Sequence, residues 1–213
     1  METPYYAVAL NLAGRKCLVV GGGRVAERKV KSLLECRAAV KVVSPEATET
    51  IREWAQAGRI EYEEREYCEE DLEKVFIAIS ATDSRELNRQ VARDCFARNI
   101  PINVVDDPEF CSFIVPAVVR RGDLTISVST GGKSPALARK LRQELEQQYG
   151  NEYAILLQYL GRARELVLSQ VPCQRQREIM FRRLAESYSD LLELIRQNQF
   201  QQLEERINQC LSS

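Results

Sequence analysis

The chain has 213 residues, 45% hydrophobic and 29% charged, with 30 basic and 31 acidic side chains, a formal net charge of −1 and no histidine. That length suits one large or two small globular domains, the near-neutral balance offers no field to recruit nucleic acid or an anionic membrane, and no apolar run approaches the roughly 20 residues of a membrane span. The missing imidazole excludes a Ser-His-Asp triad, a Cys-His dyad and every histidine metal site, so acid–base work falls to Asp, Glu, Lys, Tyr or Cys.

The opening METPYYAVALNL has neither a basic n-region nor a cleavage-type end, so it does not read as a signal peptide. Pro4, Tyr5 and Tyr6 read as a strand or loop before the first unit. The seven cysteines are scattered, odd in number and without a C-x-x-C pair. This argues against a disulfide framework or a zinc knuckle and fits reduced thiols in a cytoplasmic protein. No metal ligand set stands out.

Residues 16–31, KCLVVGGGRVAERKVK, are the first chemical signal. An apolar run meets three glycines and then an amphipathic segment. Gly21-x-Gly23-x-x-Ala26 fits the dinucleotide fingerprint: a tight turn, a close backbone approach to a pyrophosphate, and a small residue for helix–strand packing. The helix N-terminus then faces the anion. A second buried strand, residues 40–44, ends at Ser44-Pro45-Glu46. Dinucleotide folds that take NAD usually carry an acid at this tip for the ribose. Glu46 stands two residues late, and no Arg follows the tip directly, which favours NAD over NADP.

A helix is expected over residues 47–57, closed by Gly58. The acidic run 61–73 carries eight carboxylates against Arg65 and reads as a solvated edge strand and loop. Residues 75–80 form a central strand ending in Thr82 and Asp83, which fall where ligands gather in an open α/β sheet. Asp83 or Ser84 is also a cap for the helix 85–98. The strand 100–105 contains Asn103 and runs into Asp106-Asp107-Pro108. That triplet is good turn chemistry and equally a pair of carboxylates at a strand end. Residues 109–117 are expected to continue extended, with a turn at 120–122 and a strand at 123–128.

A second small-residue loop follows: Ser129, Thr130, Gly131, Gly132, Lys133, Ser134 and Pro135. Ser134 with Pro135 starts a helix over 135–149, and the hydroxyls and Lys133 make an anion site. The P-loop spacing is absent. Residues 114–142 carry six basic side chains against Asp123, which suits an acidic small substrate. From residue 151 the pattern is wholly helical, in three apolar sets separated at Pro172 and at the Gln-rich patch 197–202.

Four motifs, VVGGGRVAERK, SATDSRELN, NVVDDPEFCSFIVPA and ISVSTGGKSPALARKLR, in this order closely resemble the dehydrogenase/chelatase module of siroheme synthase, whose stand-alone form is precorrin-2 dehydrogenase. The resemblance covers about the first 150 residues. It implies an α/β protein: a Rossmann-type parallel sheet (1–113), a small mixed dimerisation and substrate-loop segment (114–149) and an α-helical C-terminal domain (150–213). It implies NAD-dependent oxidation of precorrin-2, with Asp106 as the catalytic base. Cofactor contacts map onto Gly21, Gly22, Gly23, Arg24, Val25, Ser44, Pro45, Glu46, Thr82, Asp83 and Asn103. The loop Ser129, Thr130, Gly131, Gly132, Lys133 and Ser134 would hold the tetrapyrrole. Some relatives also insert ferrous iron, and members of this kind are homodimers. The alternative is a Rossmann module that senses NAD without catalysis, which would leave Asp106 and the second loop without a role. A short-chain oxidoreductase is disfavoured because no Tyr-x-x-x-Lys pair occurs.

Overall fold

The computed structural model describes residues 5–212, so Pro4 lies outside the described residues. The chain divides into two compact units, residues 1–115 and 116–213.

The first unit is built on five parallel strands: β1 (Lys16–Val20), β2 (Ala39–Val43), β3 (Glu61–Glu63), β4 (Ile77–Ser80) and β5 (Ile102–Val104), in the order β3-β2-β1-β4-β5. The strands of a parallel sheet covered by helices on both faces read as continuous apolar runs. β1 shows why. Cys17 and Val19 point into one core with Ala26, Val30 and Leu33 of α1 (Arg24–Glu35) and Ile51 of α2 (Glu49–Gln56). Leu18 and Val20 point into the other, with Val91, Ala92 and Cys95 of α3 (Arg85–Ala97). The period-two alternation of a strand thus serves two helix layers at once. The registers Val20↔Val43, Val20↔Ser80 and Ser80↔Val104 level the strands' carboxyl ends along one edge. The order of connection reverses between β1 and β4, which opens a crevice at that edge.

Two expectations for this unit are corrected. The acidic run is not simply solvated: Asp71 is 2% exposed. Arg65 grips it through two bonds of 2.9 and 2.6 Å, the Cys68 N–H donates to it at 3.0 Å, and Lys41 of β2 lies 3.0 Å away. Residues 109–117 are not one extended stretch. Pro108 starts a 3-10 turn, Pro108–Phe110, because its fixed φ suits a first helical position.

The second unit holds the hairpin β6 (Ala117–Arg121) and β7 (Leu124–Val128), then α4 (Pro135–Gln148), α5 (Glu152–Gln170), α6 (Gln174–Glu186), α7 (Tyr188–Arg196) and α8 (Phe200–Leu211). The hairpin turns at Gly122-Asp123, so Arg120 and Arg121 belong to β6 rather than to the turn. The helices α5 to α8 bury their own core around Leu156, Leu184, Leu191 and Leu203. The second apolar set is two helices, broken at Ser187, where no Gly or Pro marks the stop. Among the described residues no helix is long and apolar enough to cross a membrane, and all seven cysteines are free thiols.

Candidate active site

A crevice of about 980 Å³ opens at the carboxyl edge of the sheet. Gly21, Gly22, Gly23, Arg24, Val25, Ser44, Pro45, Glu46, Thr82 and Asp83 all line it. Val20, Val43 and Ala81 at the strand ends, with Ala47, Thr48, Glu66, Tyr67, Ser84, Glu86, Leu87 and Gln90, complete the wall.

The three glycines are needed for different reasons. Gly21 has φ +114°, and a Cβ there would run into the Ala81 carbonyl. A Cβ on Gly22 would run into the Glu46 carbonyl. Gly23 has an ordinary φ of −76°, and a Cβ on it would meet nothing within 4 Å. Neither backbone nor neighbours demand glycine there. What a side chain would fill is crevice, the space a dinucleotide needs against the helix end.

Three helix N-termini border the crevice, and only one is left for a ligand. Ser84 caps α3 by accepting from the Leu87 N–H at 3.3 Å. Thr48 caps α2 by accepting from the Ile51 N–H at 3.4 Å. Gly23 gives α1 no side-chain cap. The first N–H groups of a helix have no partner within it, so α1 presents them, with its dipole, to an anion. Arg24 is the one cation among the lining residues, against Glu46, Glu66, Asp83 and Glu86. Gly23→Val is therefore expected to leave thermal stability near wild type and raise the NAD dissociation constant by about tenfold or more; calorimetric titration beside a melting curve checks both.

The lip at β4 hangs on Asn88, which is 6% exposed. Its Oδ1 accepts from Ser80 Oγ at 2.7 Å and Thr82 Oγ1 at 2.8 Å, and its Nδ2 donates to the Thr82 carbonyl at 3.0 Å. In the sequence, Asn88 is the last residue of SATDSRELN and the pattern assigns it no role. Its signal was one turn of helix between it and the Ser84 cap. Tyr67 is no acid–base candidate. Burial first, then the bond of its hydroxyl to Asp94 at 3.0 Å, raises its phenol far above the usual range.

Asn103 does not line the crevice. It sits inside β5, 8% exposed, and its Nδ2 donates to the Phe113 carbonyl at 3.1 Å. That bond ties the returning chain to the sheet. Asp106 stands at the end of β5, on the same edge as the crevice, with φ +60°. A left-handed conformation is costly for most residues and least so for Gly, Asn and Asp. The turn reading of Asp106-Asp107 holds, because the Asp107 N–H closes the turn on the Val104 carbonyl at 3.4 Å, and both carboxylates follow the end of β5. The two carboxylates differ. Asp107 lies 3.9 Å from Arg89, whose guanidinium stacks 5.3 Å above the Phe110 ring. Asp106 is exposed and makes no hydrogen bond or ion pair with another described residue.

Ser129, Thr130, Gly131, Gly132, Lys133 and Ser134 form one loop of the second unit. Gly131 and Gly132 have φ of +61° and +84°. Ser129 Oγ accepts from the Gly131 N–H at 3.1 Å, Thr130 Oγ1 from the Ser134 N–H at 3.1 Å, and Ser134 Oγ from the Leu137 N–H at 3.2 Å as the cap of α4. The hydroxyl oxygens thus fix the loop as acceptors for its backbone N–H groups. Among the described residues no group of three or more His, Cys, Asp or Glu side chains could hold a metal ion.

Comparison with known proteins agrees with this layout. Residues 8–117 match the family described as putative NAD(P)-binding, and residues 121–148 match the central domain of sirohaem biosynthesis proteins. The chain is 39% identical over 180 residues to siroheme synthase of Nitrosococcus oceani, covering 84% of this chain and 38% of that protein. It is 36% identical over 207 residues to siroheme synthase of Photorhabdus laumondii, covering 97% and 44%. The chain thus spans less than half the length of these relatives. The solved structure of SirC, a precorrin-2 dehydrogenase, superposes with a TM-score of 0.74 at 31% identity, covering 94% of this chain and 100% of that one. With a glycine-built dinucleotide crevice, the central-domain segment and end-to-end likeness to SirC, the chain belongs to the siroheme synthase family, in the part of it that SirC represents.

Proposed function

We propose that the protein oxidises precorrin-2 to sirohydrochlorin in siroheme biosynthesis, with NAD as hydride acceptor. The observation that carries this reading is an unpartnered carboxylate, Asp106, at the same edge of the sheet as a crevice whose one uncapped helix end awaits an anion. The names of SirC and of the siroheme synthases support it.

The residues divide the work. Gly23, Arg24 and the first turn of α1 hold the pyrophosphate, and Glu46 and Glu66 stand on the β2 and β3 side, where the ribose hydroxyls go. The same two carboxylates repel a 2′-phosphate, which favours NAD over NADP. Bound there, NAD supplies the hydride acceptor. The macrocycle loses a hydride and a proton, and Asp106 takes the proton. A macrocycle that has given up a hydride is acidic, which suits proton transfer to a carboxylate. The 129–134 loop, among basic residues, anchors substrate carboxylates. The protein works as a homodimer in the cytoplasm. β6 and β7 form a sheet of only two strands, marginal alone, and Leu137 and Leu141 lie exposed one turn apart on α4.

The test is anaerobic turnover of precorrin-2 with NAD or NADP, following NADH or NADPH and the sirohydrochlorin spectrum. NAD-dependent formation of sirohydrochlorin, faster than with NADP, is expected. NAD binding without oxidation would sink the reading and leave a sensing module. A second run with ferrous iron reports whether siroheme forms faster than without protein.

A further inference from the structure

The buried stripe of α3 is Asn88, Val91, Ala92 and Cys95, spaced to share one helix face. Val91, Ala92 and Cys95 are small apolar residues that pack with Ala78 of β4 and Ile102 of β5. The first position of the stripe holds an amide instead. Asparagine is a poor helix former, and burying it costs free energy unless its polar atoms find partners. Here they find them on one short segment, the chain leaving β4.

Asn88 Oδ1 accepts from Ser80 Oγ at 2.7 Å, from Thr82 Oγ1 at 2.8 Å and from the Thr82 N–H at 3.3 Å, and Nδ2 donates to the Thr82 carbonyl at 3.0 Å. One side chain thus holds both backbone polar groups of Thr82. The pattern fixes which end of the amide is which, since the N–H needs the oxygen and the carbonyl needs the nitrogen. The Ser84 N–H closes the segment by donating to Thr82 Oγ1 at 3.2 Å. What is held is a wall of the crevice, because Ala81, Thr82 and Asp83 all line it. That wall leans on the glycine turn: a Cβ on Gly21 would come 2.3 Å from the Ala81 carbonyl oxygen. It also stands across β1 from β2.

We propose that Asn88 is a positioning residue for the nicotinamide half of NAD, fixing the wall of residues 81–83 against which that half is laid. A dinucleotide binds across the point where the strand order reverses. With the pyrophosphate at α1 and the adenosine ribose beside β2, the nicotinamide riboside falls on the β4 side; the inference rests on that placement, proposed above. Asn88 is not itself among the residues lining the crevice and acts through Thr82. A wall already held in place has little backbone freedom to lose when the cofactor binds, and that preorganisation adds affinity.

The test compares NAD with ADP by calorimetric titration of the full chain. ADP carries the adenosine and the pyrophosphate but no nicotinamide riboside, so it engages α1 and the β2 side alone. Asn88→Asp keeps the side chain's shape and its three accepted bonds. It loses the bond donated to the Thr82 carbonyl and sets a second acceptor against that oxygen. This variant is expected to raise the NAD dissociation constant about tenfold and to leave that of ADP within about twofold of wild type. Asn88→Ala serves if Asn88→Asp does not fold, with the same split expected. Val91→Ala, one turn further along the same buried stripe, should lower the melting temperature by leaving a cavity and keep the ratio of the two constants unchanged. An unchanged NAD constant in the Asn88 variants overturns the proposal. So does an equal loss of NAD and ADP, which would make Asn88 a support of the fold and nothing more. Precorrin-2 takes no part in these titrations. A wild type that binds NAD without oxidising precorrin-2 would therefore sink the dehydrogenase reading, and the NAD-to-ADP ratio would still decide the role of Asn88.

Discussion

Asp106→Asn is expected to lower kcat for precorrin-2 oxidation by about a thousandfold, the usual scale for losing a general base, without lowering stability or NAD affinity. Asparagine is the informative substitution because it tolerates the left-handed backbone at φ +60° and keeps the side chain's shape. Alanine would add backbone strain of about 1–2 kcal/mol and mix a folding effect into the rate. Single-turnover NADH formation under anaerobic conditions, run beside calorimetric NAD binding, separates the two. Retention of more than about a tenth of wild-type kcat would move the base elsewhere, since even weak general catalysis is worth about a hundredfold.

The largest stability effect is expected at Asp71. Replacing it by Asn should destabilise the protein by about 2 kcal/mol, because a buried charged group loses a hydrogen-bonded partner. The charge that loses it is Lys41, 8% exposed, which keeps Glu63 at 2.6 Å. Burial opposes ionisation of Asp71, but the bonds from Arg65, the Cys68 N–H and Lys41 outweigh it and hold the carboxyl well below the usual range. A group whose value is depressed on folding stabilises above its unfolded value, near 4, and that stabilisation fades as pH falls towards the folded value. Urea unfolding should therefore show a constant gap between wild type and Asp71→Asn from about pH 5 to 8, narrowing below about pH 4. A gap that widens on acidification would contradict the assignment.

The parallel sheet is legible in the sequence because its buried strands are uninterrupted apolar runs, and the crevice because the glycines sit where one of those runs stops. The acidic run is legible as an edge strand and loop, and β3 stands at that edge, but its ionic packing is not legible: the strand has three residues, and its neighbours are held by ions rather than methyl groups. The stop at Ser187 is invisible for want of a breaker residue. Around the site, the residue types are readable and their commitments are not. Nothing in SATDSRELN says that the final Asn turns back to hold Thr82. Nothing in NVVDD says that Asn103 faces inward to Phe113, or that one aspartate is engaged by an arginine and the other is not. Such facts depend on long-range return of the chain, which local pattern does not encode.

The sharing of β1 between two helix layers bears on motion. Cys17, Leu18 and Val19 are wholly buried, two in one core and one in the other. β1 therefore cannot open by shedding a single layer; its amides come free only when both cores give way, at the cost of global unfolding. The glycine turn starts at the residue after β1 ends, so the loop that meets the cofactor is moored to the least yielding piece of the domain. Its own backbone freedom is spent against a fixed point, the buried end of β1, from which the N-terminus of α1 is placed at the carboxyl edge.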